Sequence, residues 1–211
     1  MTHFDLSVYL VLDADLCGAR GMLETTRAAV AGGATMVQLR EKHAGTATLV
    51  ETGRALKTVL AGTGVPLIVN DDCGAAIAID AEGLHIGQSD MTPQEARGRI
   101  GASRILGLTA ETEALAAAAD PAIVDYLGLG PVFATPTKPG HKPPIGFAGL
   151  ARLVAASPLP AVAIGGLKAE HAASVRKAGA AGMAVVSAIC ASADPQAAAR
   201  QLSRSMRSAQ S

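Results

Sequence analysis

The sequence predicts an α/β protein built as one (β/α)8 barrel, and three observations carry that expectation. Short apolar runs of strand length alternate with Ala-rich stretches of helical length, eight times at a spacing of about 25 residues. Five of the apolar runs end in a polar cluster, as barrel strands do where they open at one rim. Hydrophobic residues make up 49% of the 211 residues but aromatic residues only 2%, so the core must be Ala, Val, Leu and Ile, which suits buried parallel strands under close-packed helices.

The elements follow in order. Ser7–Leu12 reads as the first strand, and Gly21–Gly32 as a helix ended by a glycine pair. Thr35–Leu39 precedes the helical Ala47–Ala61, and Pro66–Val69 precedes Cys73–Ile79. Gly83–Ile86 leads to Thr92-Pro93-Gln94-Glu95, an N-cap followed by proline in the first helical position. Arg104–Leu108 leads into Glu111–Ala119, and Tyr126–Gly130 runs through a long loop into Phe147–Ala156. Ala161–Ile164 with Ala169–Ala178, and Met183–Val186 with Pro195–Met206, complete the set. The Ser-rich tail after Leu202 is expected to fray, leaving residues 1–211 as one domain. An open doubly wound sheet is the rival. It would use fewer strands and a glycine-rich first loop, whereas Leu12 is followed by Asp13-Ala14-Asp15.

Composition narrows the function. Eighteen basic residues balance eighteen acidic ones, so nothing favours bulk attraction to nucleic acid or membrane, and any phosphate binding must be local. Cys17, Cys73 and Cys190 are sparse and widely spaced, which argues against disulfides and a structural zinc site. No leader-like segment opens the chain, and no apolar run approaches the ~20 residues of a membrane span, so the protein reads as soluble and cytoplasmic.

The rim clusters carry the chemistry. Strand alternation puts Gln38, Arg40 and Lys42 on one face, toward the barrel mouth, and Val37 and Leu39 on the other, under the helices. Two cations and an amide in a row suit phosphate oxygens. In Asn70-Asp71-Asp72 the last residue is a candidate helix N-cap, while Asp71 together with Asp90 makes a magnesium pair, since that ion favours one or two carboxylates, water and phosphate oxygens. His85 and Gln88 are weaker candidates, His85 reading as a packed, hydrogen-bonded residue. Gly165-Gly166 is a phosphate-loop candidate because backbone N–H groups can approach an anion there, and Val186-Ser187 closes the adjacent rim. The loop 135–146 spans the mouth, where Thr135, Thr137 and Lys138 can clamp a phosphate; His141 and Lys142 lie further along it.

Taken in order and spacing, QLREK at 38–42, NDD at 70–72, HIGQSD at 85–90, GPVFATPTK at 130–138, AIGG at 163–166 and AVVSAI at 184–189 resemble the thiamine-phosphate synthase family over nearly the whole chain, from about Tyr9 to Met206. The resemblance implies a transferase on a (β/α)8 barrel. It couples 4-amino-2-methyl-5-hydroxymethylpyrimidine diphosphate to a thiazole phosphate, carboxylated or not, giving thiamine phosphate and diphosphate. It implies that Gln38, Arg40, Lys42, Asn70 and Lys138 hold the pyrimidine diphosphate, with Leu39 and Glu41 in the same run. Asp71 and Asp90 would hold Mg2+, and Thr135, Thr137, Gly166, Val186 and Ser187 the thiazole phosphate. Loss of diphosphate leaves a methylene cation that the aminopyrimidine stabilises and the thiazole nitrogen attacks. That route needs positioning and stabilisation of departing charge, which Mg2+, Arg40, Lys42 and Lys138 would supply, and little acid–base help. Two positions depart from the family pattern. Thr109 stands where Ser is usual, keeping the hydroxyl toward the diphosphate, and Pro136 brings neither hydroxyl nor N–H to its loop's phosphate grip.

Three other readings compete. A thiazole tautomerase on the same barrel needs neither metal nor diphosphate site, and a silent thiazole-phosphate binder needs no metal carboxylates. A sugar-phosphate isomerase needs a base over a carbonyl, for which only His85 and Asp71 are candidates. Retention of Arg40, Lys42, Asp71, Asp90 and Lys138 favours the synthase. The implied partners are small-molecule substrates, with no nucleic acid and no membrane, and a homo-oligomer is compatible with the sequence.

Overall fold

The structure, a computed structural model, describes residues 4–41, 44–135 and 142–209. Eight parallel strands close into a barrel in chain order: β1 (Val8–Leu12), β2 (Met36–Leu39), β3 (Leu67–Asn70), β4 (Gly83–Ile86), β5 (Ile105–Ala110), β6 (Tyr126–Leu129), β7 (Ala161–Ile164) and β8 (Gly182–Val185). Closure is made by β8 against β1, with Val8 opposite Met183 and Leu10 opposite Val185. This is the architecture that the alternation predicts, and it excludes the open sheet.

Ten α-helices lie among the described residues: α1 (Ala14–Cys17), α2 (Gly21–Gly32), α3 (Thr46–Leu60), α4 (Cys73–Ile79), α5 (Pro93–Ile100), α6 (Glu113–Ala117), α7 (Gly146–Ala156), α8 (Ala172–Lys177), α9 (Ser187–Cys190) and α10 (Pro195–Ser208). Strand alternation divides the interior in two. Val8, Leu10, Leu12, Val37 and Leu39 face outward into the layer under the helices. Tyr9, Val11, Met36, Ile68, Ile105 and Tyr126 face inward and fill the barrel floor.

Caps read from sequence are made as expected. Thr92 accepts from the Glu95 N–H at 3.2 Å, with Pro93 in the first turn, and Asp72 accepts from the Ala75 N–H at 2.8 Å. Helix α2 runs so close to α10 that a side chain at Gly32 would meet Ala199 Cβ at 2.8 Å, so the contact requires glycine.

The elements differ from expectation in four places. The helix expected at 169–178 is a 3-10 turn, Ala169–His171, followed by α8. The tail after Leu202 does not fray there: α10 continues to Ser208 because Leu202, Ser203 and Met206 are buried and Arg207 donates to Ser203 Oγ at 2.6 Å. Strand β5 extends to Ala110, so Thr109 is a strand residue rather than the start of a loop. The four-residue helices α1 and α9 were not expected, since one turn shows no periodicity. The three cysteines are buried and free, and no helix among the described residues is long and apolar enough to cross a membrane.

Candidate active site

The C-terminal ends of the strands open into a cavity of about 520 Å³. One wall comes from β2, β3 and the loop after β4, which bring in Gln38, Arg40, Asn70, Asp71 and Asp90. The opposite wall carries Thr135, Gly165, Gly166, Val186 and Ser187. Tyr9, His85 and Thr109 lie between them, toward the floor.

Arg40 projects from the end of β2 with its side chain only 11% exposed. Its Nη1 stands 3.6 Å from Asp13 Oδ2, and its Nη2 is buried without a hydrogen-bond partner among the described residues. Burial lowers its pKa, while Asp13 and Asp71 push it back up, and a guanidinium in that company stays charged. A buried, unmatched donor at a cavity wall is a place for an anionic oxygen.

The acidic residues separate by geometry. Both Asp72 oxygens are used, one capping α4 and one accepting from Thr46 Oγ1 at 2.7 Å, and Asp72 does not line the cavity. Asp71 does, from a left-handed backbone at φ 63°, where its N–H donates to the His85 carbonyl at 2.9 Å. Asp90 lines the wall with one oxygen, Oδ2, accepting from the Gly87 N–H at 2.6 Å. Among the described residues, no group of three or more His, Cys, Asp or Glu side chains could hold a metal. Two carboxylates at a wall that also carries Arg40 nevertheless fit magnesium, which completes its shell with water and substrate oxygens.

The glycine wall is shaped by close approach. Gly165 and Gly166 have φ of 94° and 63°, and a Cβ on Gly166 would stand 2.8 Å from both the Ala134 carbonyl and Phe133 Cβ. The Phe133 ring packs against His171 at 4.7 Å and Phe147 at 5.2 Å, bracing the loop after β6 against that after β7. Across the mouth, Lys142 Nζ and Glu111 Oε2 are 3.6 Å apart.

Under the cavity runs a chain of side-chain hydrogen bonds. Gln38 Nε2 donates to Tyr9 Oη at 2.6 Å, and Tyr9 Oη lies 2.9 Å from Tyr126 Oη. Tyr126 Oη is 2.9 Å from His85 Nδ1, and His85 Nε2 is 2.9 Å from Thr109 Oγ1. His85 is thus packed and hydrogen-bonded, as expected, yet it also lines the cavity. Burial pushes both phenols above the ordinary tyrosine range.

Of the residues singled out from sequence, the cavity gathers Gln38, Arg40, Asn70, Asp71, Asp90, Thr109, Thr135, Gly166, Val186 and Ser187. Leu39 is fully buried on the outward face of β2, and alternation explains why its side chain does not join the wall. Glu41 is not on the wall either, and its Oε2 is buried without a partner among the described residues. Lys42, Pro136, Thr137 and Lys138 lie outside the described residues. Sequence reasoning passed over Tyr9, Tyr126 and Glu111. The available signal was parity: Tyr9 and Tyr126 occupy inward strand positions in a chain with two tyrosines.

The family model for thiamine monophosphate synthase matches residues 8–189. A thiamine-phosphate synthase of Xanthobacter autotrophicus is 52% identical, over 94% of either chain, and one of Chloroflexus aurantiacus is 48% identical over 94% of this chain and 91% of its own. Among solved structures, a thiamine phosphate pyrophosphorylase from Pyrococcus furiosus superposes with a TM-score of 0.88 at 32% identity, covering 98% of both chains. A 3-hexulose-6-phosphate synthase, with a TM-score of 0.67 at 18% identity, shares the fold alone. With a closed barrel, a two-walled cavity at its rim and a match across nearly all its length, the chain belongs to the thiamine monophosphate synthase family.

Proposed function

We propose that the protein is a transferase that couples 4-amino-2-methyl-5-hydroxymethylpyrimidine diphosphate to a thiazole phosphate, releasing diphosphate and giving thiamine phosphate. The observation that carries this reading is the division of one cavity into two anion-suited walls, Arg40 with Asn70 on one side and Gly165-Gly166 with Ser187 on the other. An isomerase of a single phosphate ester has use for only one of them.

Arg40 binds the diphosphate through its unmatched Nη2, and Asn70 adds amide donors beside it. As the carbon–oxygen bond breaks, charge gathers on the departing diphosphate, and fixed donors stabilise that charge more than they stabilise the bound substrate. Asp71 and Asp90 would hold Mg2+, which when bound neutralises part of the same charge. Thr135, the backbone of Gly166 and the Val186-Ser187 segment hold the thiazole phosphate, placing its ring nitrogen toward the methylene carbon. Lys42, Thr137 and Lys138 complete the phosphate contacts in this reading, Lys42 and Lys138 as charge-stabilising groups and Thr137 on the thiazole phosphate.

The test is incubation with both substrates and Mg2+, with thiamine phosphate and diphosphate measured as products. Equal amounts of the two are expected; tautomerisation of the thiazole phosphate with no coupling would overturn the reading. Asp90→Ala is expected to remove most turnover together with its magnesium dependence, and full activity in that variant would exclude Asp90 as a ligand.

A further inference from the structure

We propose that Tyr126 is a positioning residue: its hydroxyl relays the direction of one hydrogen-bond chain from Gln38 to Thr109, the two ends that face the cavity. The inference rests on the reading above, in which an aminopyrimidine enters that cavity.

The chain runs Gln38–Tyr9–Tyr126–His85–Thr109, with each link between 2.6 and 2.9 Å. Each hydroxyl has one proton to give, and a neutral imidazole has one N–H and one acceptor nitrogen. The chain therefore has two fully satisfied proton orders, opposite in direction. Since Gln38 Nε2 donates to Tyr9, the first order holds: Tyr9 donates to Tyr126, Tyr126 to His85 Nδ1, and His85 Nε2–H to Thr109 Oγ1. Thr109 is then left with its own proton to donate into the cavity, and Gln38 presents its Oε1 as acceptor. In the reverse order both ends change sign. An amino-substituted aza-aromatic ring held with its N–H at Gln38 and its ring nitrogen at Thr109 matches the first order and, in that orientation, is mismatched by the second.

Tyr126 is the link through which the two ends communicate. It is fully buried and does not line the cavity, so it acts only through its neighbours. Its ring packs on Phe4, Tyr9 and His85, with centroids 5.5 to 6.0 Å apart, contacts that phenylalanine would keep. Gly107 leaves room for its hydroxyl beside His85. Burial holds both tyrosines neutral, as directed O–H donors must be.

The experiment combines Tyr126→Phe and Tyr9→Phe with nitrogen-15 NMR of labelled histidine in the full-length protein and steady-state kinetics. In the unsubstituted protein His85 is expected to carry its proton on Nε2. Tyr126→Phe should destroy that preference and raise KM for the pyrimidine diphosphate by about tenfold, with KM for the thiazole phosphate unchanged within about twofold. Tyr9→Phe removes the donor that directs the Tyr126 hydroxyl, so it should weaken the Nε2–H preference and raise the same KM, and it serves alone if Tyr126→Phe does not fold. A proton on Nδ1 in the unsubstituted protein overturns the proposal, as does an unchanged KM in both variants. The tautomer is read without turnover, so absence of coupling would defeat the proposed function while the proton order is still decided.

Discussion

The Asp13 carboxylate serves two partners: Oδ1 caps α1 by accepting from the Leu16 N–H at 3.1 Å, and Oδ2 stands 3.6 Å from Arg40 Nη1. The first residue after the first strand thus orients the cation at the end of the second. Asp13→Asn can still cap but has no charge to offer Arg40, so the fold should hold within about 0.5 kcal/mol while KM for the diphosphate substrate changes several-fold. Asp13→Ala loses the cap as well and should be less stable by about 1 kcal/mol. Chemical unfolding and steady-state kinetics on the two variants separate the roles.

The two tyrosines make the floor visible to alkaline titration. Burial raises both phenols above their ordinary value of 10.0, so absorbance near 295 nm should stay flat until the protein unfolds. Above the pKa of an exposed tyrosine, about 10, the unfolded chain binds fewer protons than the folded one, so stability falls as pH rises further. A gradual phenolate signal in a protein whose circular dichroism is unchanged would count against the buried chain.

Asp71 offers a separation of strain from function. Its φ of 63° is a conformation that Asp and Asn tolerate better than other side chains. Asp71→Asn should leave the unfolding midpoint nearly unchanged and weaken the magnesium dependence of turnover. Asp71→Ala should weaken both, with a loss of about 1 kcal/mol in stability. Magnesium titrations beside denaturant curves decide the matter.

Gly166→Ala meets two obstacles, a φ of 63° and contacts at 2.8 Å with Ala134 and Phe133. A loss of about 1–3 kcal/mol is expected, with KM for the thiazole phosphate rising more than KM for the pyrimidine substrate. Equal effects on both would argue against a separate phosphate wall.

Much of this was legible because two simple periods governed it. Alternation put Gln38 and Arg40 on the face opposite Leu39, and the structure keeps that division. The hydrogen-bond chain was not legible: Tyr9 and Tyr126 lie 117 residues apart, and no local pattern announces such a meeting. Helices α1 and α9 escaped because a single turn is decided by caps and neighbours rather than by repetition. Thr109 fell just outside the expected strand Arg104–Leu108, whereas His85 gives its hydroxyl a partner inside the barrel.

The seam between β1 and β8 joins residues about 175 positions apart, and Gly182 admits the Leu6 carbonyl where any side chain would collide. Tyr9 and Ser187 belong to opposite sides of that seam, so the cavity exists only after the two ends of the chain have met. Such distant pairing is a slow and entropically unfavourable event in folding. A nascent or truncated chain lacking the eighth strand would carry most of the cavity-lining side chains yet enclose nothing, and the recovery of turnover during refolding should follow the ring's final closure rather than the appearance of helices.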